Sequence, residues 1–137
     1  MAELPPQVAD LLGERNYAHL ATIEPDGSVS SRPVWVDVEE DRVLFLTQAG
    51  SRKARNIERD PPRVGLSIAH RDDPYREADL RGRVVERIDG DAALVLADRI
   101  ARKYTGKEFP VRGEGTVVYV IEALESRHVT LPFTDEG

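Results

Sequence analysis

Cysteine is absent from the 137 residues, which excludes a disulfide framework, thiolate metal sites and a cysteine nucleophile. Histidine is scarce: His19, His70 and His128 lie far apart, with no spacing suited to a metal, and each reads as a structural or surface residue. No G-x-G-x-x-G follows a strand-like run, and no G-x-x-x-x-G-K-[ST] or G-x-S-x-G occurs, so dinucleotide, phosphate-loop and serine-hydrolase chemistry lack support. No apolar run approaches membrane-spanning length, and the N-terminal M-A-E-L-P-P-Q has neither a basic region nor a hydrophobic core. A cytoplasmic location away from membranes is expected. A net charge of −6 and a pI near 5.1 disfavour nonspecific attraction to nucleic acid or anionic lipid. The 25 Asp and Glu residues form no distinctive acid–base pair. An enzyme without obvious catalytic side chains relies on a cofactor, for which the protein supplies position and electrostatics.

What the sequence does hold is a basic stretch inside an acidic chain. Phe45 to Ile57, F-L-T-Q-A-G-S-R-K-A-R-N-I, reads as a strand ending at Thr47, a small polar turn and the opening of a helix. Ser51 suits the N-cap, because its hydroxyl can accept from a backbone N–H that the first turn leaves unpaired. Arg52 and Lys53 then fall where cations oppose the helix dipole, a conflict that a bound phosphate removes. Helical spacing puts Lys53 and Asn56 on one face, Ala54 and Ile57 on a second, and Arg52, Arg55 and Arg59 on a third. The same cations would also suit a solvated surface helix.

The remaining pattern is that of one domain, 1–137, with 40% hydrophobic residues, able to bury about two-thirds of its unfolded surface. Val8, Leu11 and Leu12 mark a short first helix ending at Gly13, a lid or barrel plug. Tyr17 to Glu24 reads as a strand buried on both faces, and Pro25-Asp26-Gly27 as a turn. Ser28 to Val38 reads as a second strand, with Val34, Val36 and Val38 opposite Trp35. Pro33 cannot donate to a ladder and demands an edge or bulge, which frees nearby backbone groups for a flat ligand. Arg42 to Thr47 is a third strand, Asp60-Pro61-Pro62 ends the basic helix, and Val64, Leu66 and Ile68 alternate as a fourth. Tyr75 to Ile88 is a long fifth strand with a bulge at Gly82. Asp91 caps a helix with the stripe Leu94, Ala97, Ile100, Ala101 and Tyr104; Thr105 to Gly115 is a mobile loop, and Thr116 to Leu131 is the last strand. Six strands with three helical pieces make a mainly β chain, a six-stranded antiparallel barrel with attached helices. So small a barrel has little room inside, so a planar cofactor is expected in an outer groove that a second copy closes.

The run F-L-T-Q-A-G-S-R-K-A-R-N-I followed by R-D-P-P-R-V-G-L-S-I resembles the flavin-binding core of the pyridoxamine 5′-phosphate oxidase-like split-barrel superfamily. With A-T-I-E-P-D-G-S (Ala21 to Ser28), P-V-W-V-D-V (Pro33 to Val38) and P-Y-R-E-A-D-L-R-G-R-V (Pro74 to Val84), it is similar to the branch using the deazaflavin coenzyme F420. The resemblance spans nearly the whole chain. It implies a six-stranded split β-barrel of the FMN-binding type, assembled as a homodimer with two cofactor sites at the interface. It implies that Ser51, Arg52 and Lys53 hold the cofactor phosphate with Asn56 nearby, that Pro33, Val34, Trp35 and Val36 lie along the ring, and that Thr47 lines the same groove. Trp35 alone reads equally as core or dimer interface, and Tyr75 and Arg76 as a plain strand start or as contacts from the partner subunit.

Vitamin B6 oxidation is not expected, since the chain stops at L-P-F-T-D-E-G without the Trp- and Arg-bearing C-terminal segment of the true oxidases. The expected activity is an F420H2-dependent reductase passing hydride to an electron-poor small molecule: an activated C=C, a quinone-like or a tetrapyrrole-like acceptor. The alternatives are an FMN-binding oxidoreductase of the same fold and a carrier that binds flavin or deazaflavin without turnover. No catalytic side chain is assigned; Tyr104 and solvent are the candidate proton donors.

Overall fold

Tight turns at Pro25 to Gly27 and at Glu40-Asp41, where φ reaches 49° and 65°, force consecutive strands to run antiparallel. The computed structural model describes residues 3–59, 62–112 and 114–134. The elements are α1 (Pro6–Gly13), β1 (Ala18–Ile23), β2 (Val29–Val34), β3 (Val36–Glu39), β4 (Arg42–Gln48), α2 (Arg52–Ile57), β5 (Arg63–Ala69), β6 (Arg76–Ile88), α3 (Gly90–Thr105) and β7 (Thr116–Thr130). The strands form one antiparallel sheet in the order β2-β1-β5-β6-β7-β4-β3. Only Trp35 separates β2 from β3 in the chain, yet they occupy opposite edges of the sheet. The sheet therefore curls until its edges meet. This is the mainly β barrel expected, with seven strands instead of six, because the segment read as one strand over 28–38 breaks at Trp35 into two that pair with different neighbours.

The barrel interior is filled from both directions. Val8, Leu11 and Leu12 of α1 join Leu20, Val36, Phe45, Leu66, Leu80, Tyr119 and Ile121 in the main core, so α1 is a plug. A second cluster forms outside, where Ala93, Ile100 and Tyr104 of α3 cover Leu44, Val118 and Val120. The strands buried on both faces are accordingly β4 and β7, and the expectation for Tyr17 to Glu24 is corrected: β1 buries Ala18, Leu20 and Thr22 and exposes His19 and Ile23, since no helix covers its outer side. The α3 cap also shifts. Asp89 is the N-cap and Asp91 lies in the first turn, while Ala93 replaces the half-buried Leu94 in the covered stripe.

The bulge at Gly82 is present. Between Arg81↔Glu125 and Gly82↔Ala123 the ladder skips Leu124, and a second slip leaves Val85 unpaired. A Cβ on Gly82 would sit 2.7 Å from the Glu122 carbonyl oxygen and 2.7 Å from Ile121 Cγ2, so only glycine fits. Asp60 and Pro61, expected to end the basic helix, lie outside the described residues; α2 itself ends at Ile57, with Glu58 as C-cap. No helix among the described residues is long and apolar enough to cross a membrane.

Candidate functional site

Trp35 falls between two ladders, at the point where pairing passes from β1 to β4. Its side chain opposes Val34 and Val36, which point into the barrel core. The result is an outer groove of about 490 Å³ lined by Tyr17, Pro33, Val34, Trp35, Leu46 and Lys53. The proline is on the edge strand β2, as its missing N–H requires.

Lys53 supplies the positive end of this groove. The turn after β4 reverses at Gly50, with φ 80°, and Ser51 caps α2 by accepting from the Ala54 N–H at 3.3 Å. Thr47 Oγ1 and Ser51 Oγ lie 3.0 Å apart, which joins the strand end to the helix start. Lys53 projects from the first turn, half-buried, with no carboxylate paired to it among the described residues. Burial first, and then repulsion from Arg32, hold its ammonium below the ordinary 10.5. Arg32 on β2 likewise has no ion pair among the described residues. A lysine without counter-charge among the described residues, lining an aromatic-walled groove with a second cation near it, suits an anion attached to a flat ring. Because α2 has only six residues, this attraction rests on side chains more than on a helix dipole.

The other expected site residues divide. Pro33, Val34, Trp35 and Lys53 share the groove, and Thr47 and Ser51 sit at the base of α2. Arg52 turns away to Glu24 at 3.1 Å. Asn56 is buried, its amide donating to Thr22 Oγ1 at 3.0 Å and to Glu24 Oε2 at 2.6 Å, so it ties α2 to β1 instead of sharing a face with Lys53. Val36 is buried as well. Its N–H donates to the Tyr104 hydroxyl at 3.2 Å and its carbonyl accepts from Lys103 Nζ, leaving it nothing to offer a ligand. Tyr104 is not a free proton donor: its hydroxyl donates to the Asn16 carbonyl at 2.6 Å, and burial pushes it up to about 12.

Tyr17 and Leu46 line the groove, and Arg32 acts on Lys53 from beside it; none of the three is a sequence candidate. Arg32 carries a usable signal, standing directly before Pro33, as does Leu46, inside the Phe45 to Ile57 run, whereas Tyr17 arrives from the approach to β1 and has none. Among the described residues no three His, Asp or Glu side chains gather where a metal could be held.

A sequence model of the family described as pyridoxamine 5′-phosphate oxidase matches residues 4–130. Among solved structures, an F420 reductase is similar at a TM-score of 0.79 and 25% identity, over 90% of this chain and 98% of that chain. A conserved hypothetical protein from Mycobacterium tuberculosis is similar at a TM-score of 0.79 and 25% identity, over 100% of this chain and 94% of that one. A pyridoxamine 5′-phosphate oxidase-related, FMN-binding protein from Nostoc punctiforme shares the fold at a TM-score of 0.61 and 16% identity, over 82% of this chain and 72% of that one. No curated protein matches the sequence.

Proposed function

The chain belongs to the pyridoxamine 5′-phosphate oxidase family, and from that premise we propose that it is an F420H2-dependent reductase acting on an electron-poor small molecule. Its fold is that of flavin- and deazaflavin-type oxidoreductases. The observation that carries the reading is Lys53, without an ion pair among the described residues, in the groove walled by Trp35 and within electrostatic reach of a second unpaired cation, Arg32. They would hold the cofactor phosphate, with the Ser51 and Thr47 hydroxyls beside them. Pro33, Val34 and Trp35 would lie along the ring, with backbone groups of this segment meeting its polar edge. Arg52 and Asn56 would support α2 through Glu24.

The bound deazaflavin supplies a two-electron hydride donor. The chain contributes orientation along β2 and anchoring at Lys53. Since Tyr104 is committed to Asn16 and Val36, solvent is the remaining proton source for an activated C=C, quinone-like or tetrapyrrole-like acceptor. The groove is open to solvent on one side, which supports a homodimer in which a second copy closes it. The similarity to an F420 reductase over nearly both whole chains favours F420 over FMN. FMN stays the second reading, because an FMN-binding protein shares the fold.

Parallel titrations of the purified protein with F420 and with FMN test this. Tighter binding of F420, followed by turnover of F420H2 with quinones or enones, is the expected result. A preference for FMN would reassign the cofactor, and tight binding without turnover on any acceptor would make the protein a carrier.

A further inference from the structure

Two aromatic walls of the groove, Tyr17 and Trp35, arrive from separate stretches of chain. Trp35 is the single residue between β2 and β3, and Tyr17 precedes β1 and is 46% exposed. Both rest on Tyr104. Its ring stacks on Trp35 with centroids 5.2 Å apart and planes 8° apart, and lies 5.4 Å from the Tyr17 ring at 36°. Its hydroxyl reaches the backbone next to each wall, accepting from the Val36 N–H at 3.2 Å and donating to the Asn16 carbonyl at 2.6 Å. Behind the ring, Lys103 Nζ lies 4.6 Å from its centroid and donates to Leu12 O and Val36 O, which ties the end of α1 to the same turn. At 2% exposure Tyr104 touches no ligand itself.

We infer that Tyr104 is the positioning residue for the cofactor ring: one side chain sets the spacing of Tyr17 and Trp35 and so fixes the slot between them. The inference rests on the function proposed above and goes beyond it in separating two parts of the site. Lys53 acts on the phosphate, from α2. Tyr104 acts on the ring, from α3, through residues it supports. A merely structural role for Tyr104 would weaken both parts together or neither.

The test pairs two ligands with two variants. F420 and the phosphate-free 8-hydroxy-5-deazariboflavin are titrated against the wild type, Tyr104→Phe and Lys53→Ala. Tyr104→Phe keeps the stacked ring and removes the hydroxyl's contacts with Asn16 and Val36. It is expected to weaken both ligands by the same factor, about three- to tenfold for contacts of hydrogen-bond strength, leaving the ratio of their dissociation constants unchanged. Lys53→Ala is expected to weaken F420 and leave the phosphate-free ligand as in the wild type. Tyr104→Leu, which removes the stack, serves as the second variant and is expected to exceed Tyr104→Phe in its loss for both ligands. Unchanged binding of the phosphate-free ligand by both Tyr104 variants would overturn the inference, as would a wild type that binds F420 but not the phosphate-free ring. In both cases the function reading survives. A wild type that binds neither F420 nor FMN overturns the reading itself, and the inference with it.

Discussion

Arg32 and Lys53 repel one another, and the half-buried Lys53 loses some of the water that would stabilise its charge; among the described residues no carboxylate pairs with either to offset these costs. A phosphate in the groove reverses the balance. It restores a counter-charge to Lys53, so binding requires the protonated ammonium. With the free-state value held below 10.5, affinity for a phosphate-bearing cofactor falls as pH rises through that lowered value. Lys53→Arg keeps its charge throughout, and its binding curve is expected to stay flat over the range in which the wild type weakens. Isothermal titration at stepped pH checks this. The lysine itself is legible in the sequence, in the S-R-K-A-R-N-I opening. Its neighbours are less so, for different reasons. The i, i+3 spacing places Asn56 beside Lys53, but Thr22 and Glu24, more than thirty residues away, draw its amide under the helix. Arg52 is claimed by the same Glu24.

At the scale of elements, the strand alternation was readable wherever one face meets the core. Val64, Leu66 and Ile68 on β5, and Val117, Tyr119 and Ile121 on β7, fall inside as their period of two requires. The break at Trp35 was not readable, because Val34, Trp35 and Val36 keep the alternation of a continuous strand while their ladder partners change from β1 to β4. The apolar run of β1 suggests burial of both faces, whereas β4 and β7 have it because α3 lies across them. Such coverage is a tertiary fact. The bulge at Gly82, by contrast, was visible as a glycine inside a strand pattern, and the close approach explains it. Gly82→Ala would drive a methyl group into the Glu122 carbonyl and Ile121, and is expected to destabilise the fold by about 1–3 kcal/mol in urea denaturation.

For the molecule as a whole, the connection of β2 to β3 through one residue makes barrel closure and site formation the same event. The segment that joins the two sheet edges is the segment that walls the groove. The exposed Ile23 and Val29 face each other across β1 and β2, and the exposed Tyr17 stands at the other end of β1, where a second copy would pack. Sedimentation equilibrium is expected to give twice the chain mass, and a monomer at micromolar concentration would remove the closed-site picture. The central claim, a phosphate-anchored ring lying against Trp35, has a built-in reporter, because Trp35 is the one tryptophan in the sequence. The direct measurement is its fluorescence during titration with F420, in the wild type and in Lys53→Ala. The account predicts saturable quenching in the wild type, with the variant weaker by about 1.5–3 kcal/mol for the lost charge-assisted contact. Binding that leaves Trp35 emission unchanged, or an equal dissociation constant in a folded Lys53→Ala, would contradict it.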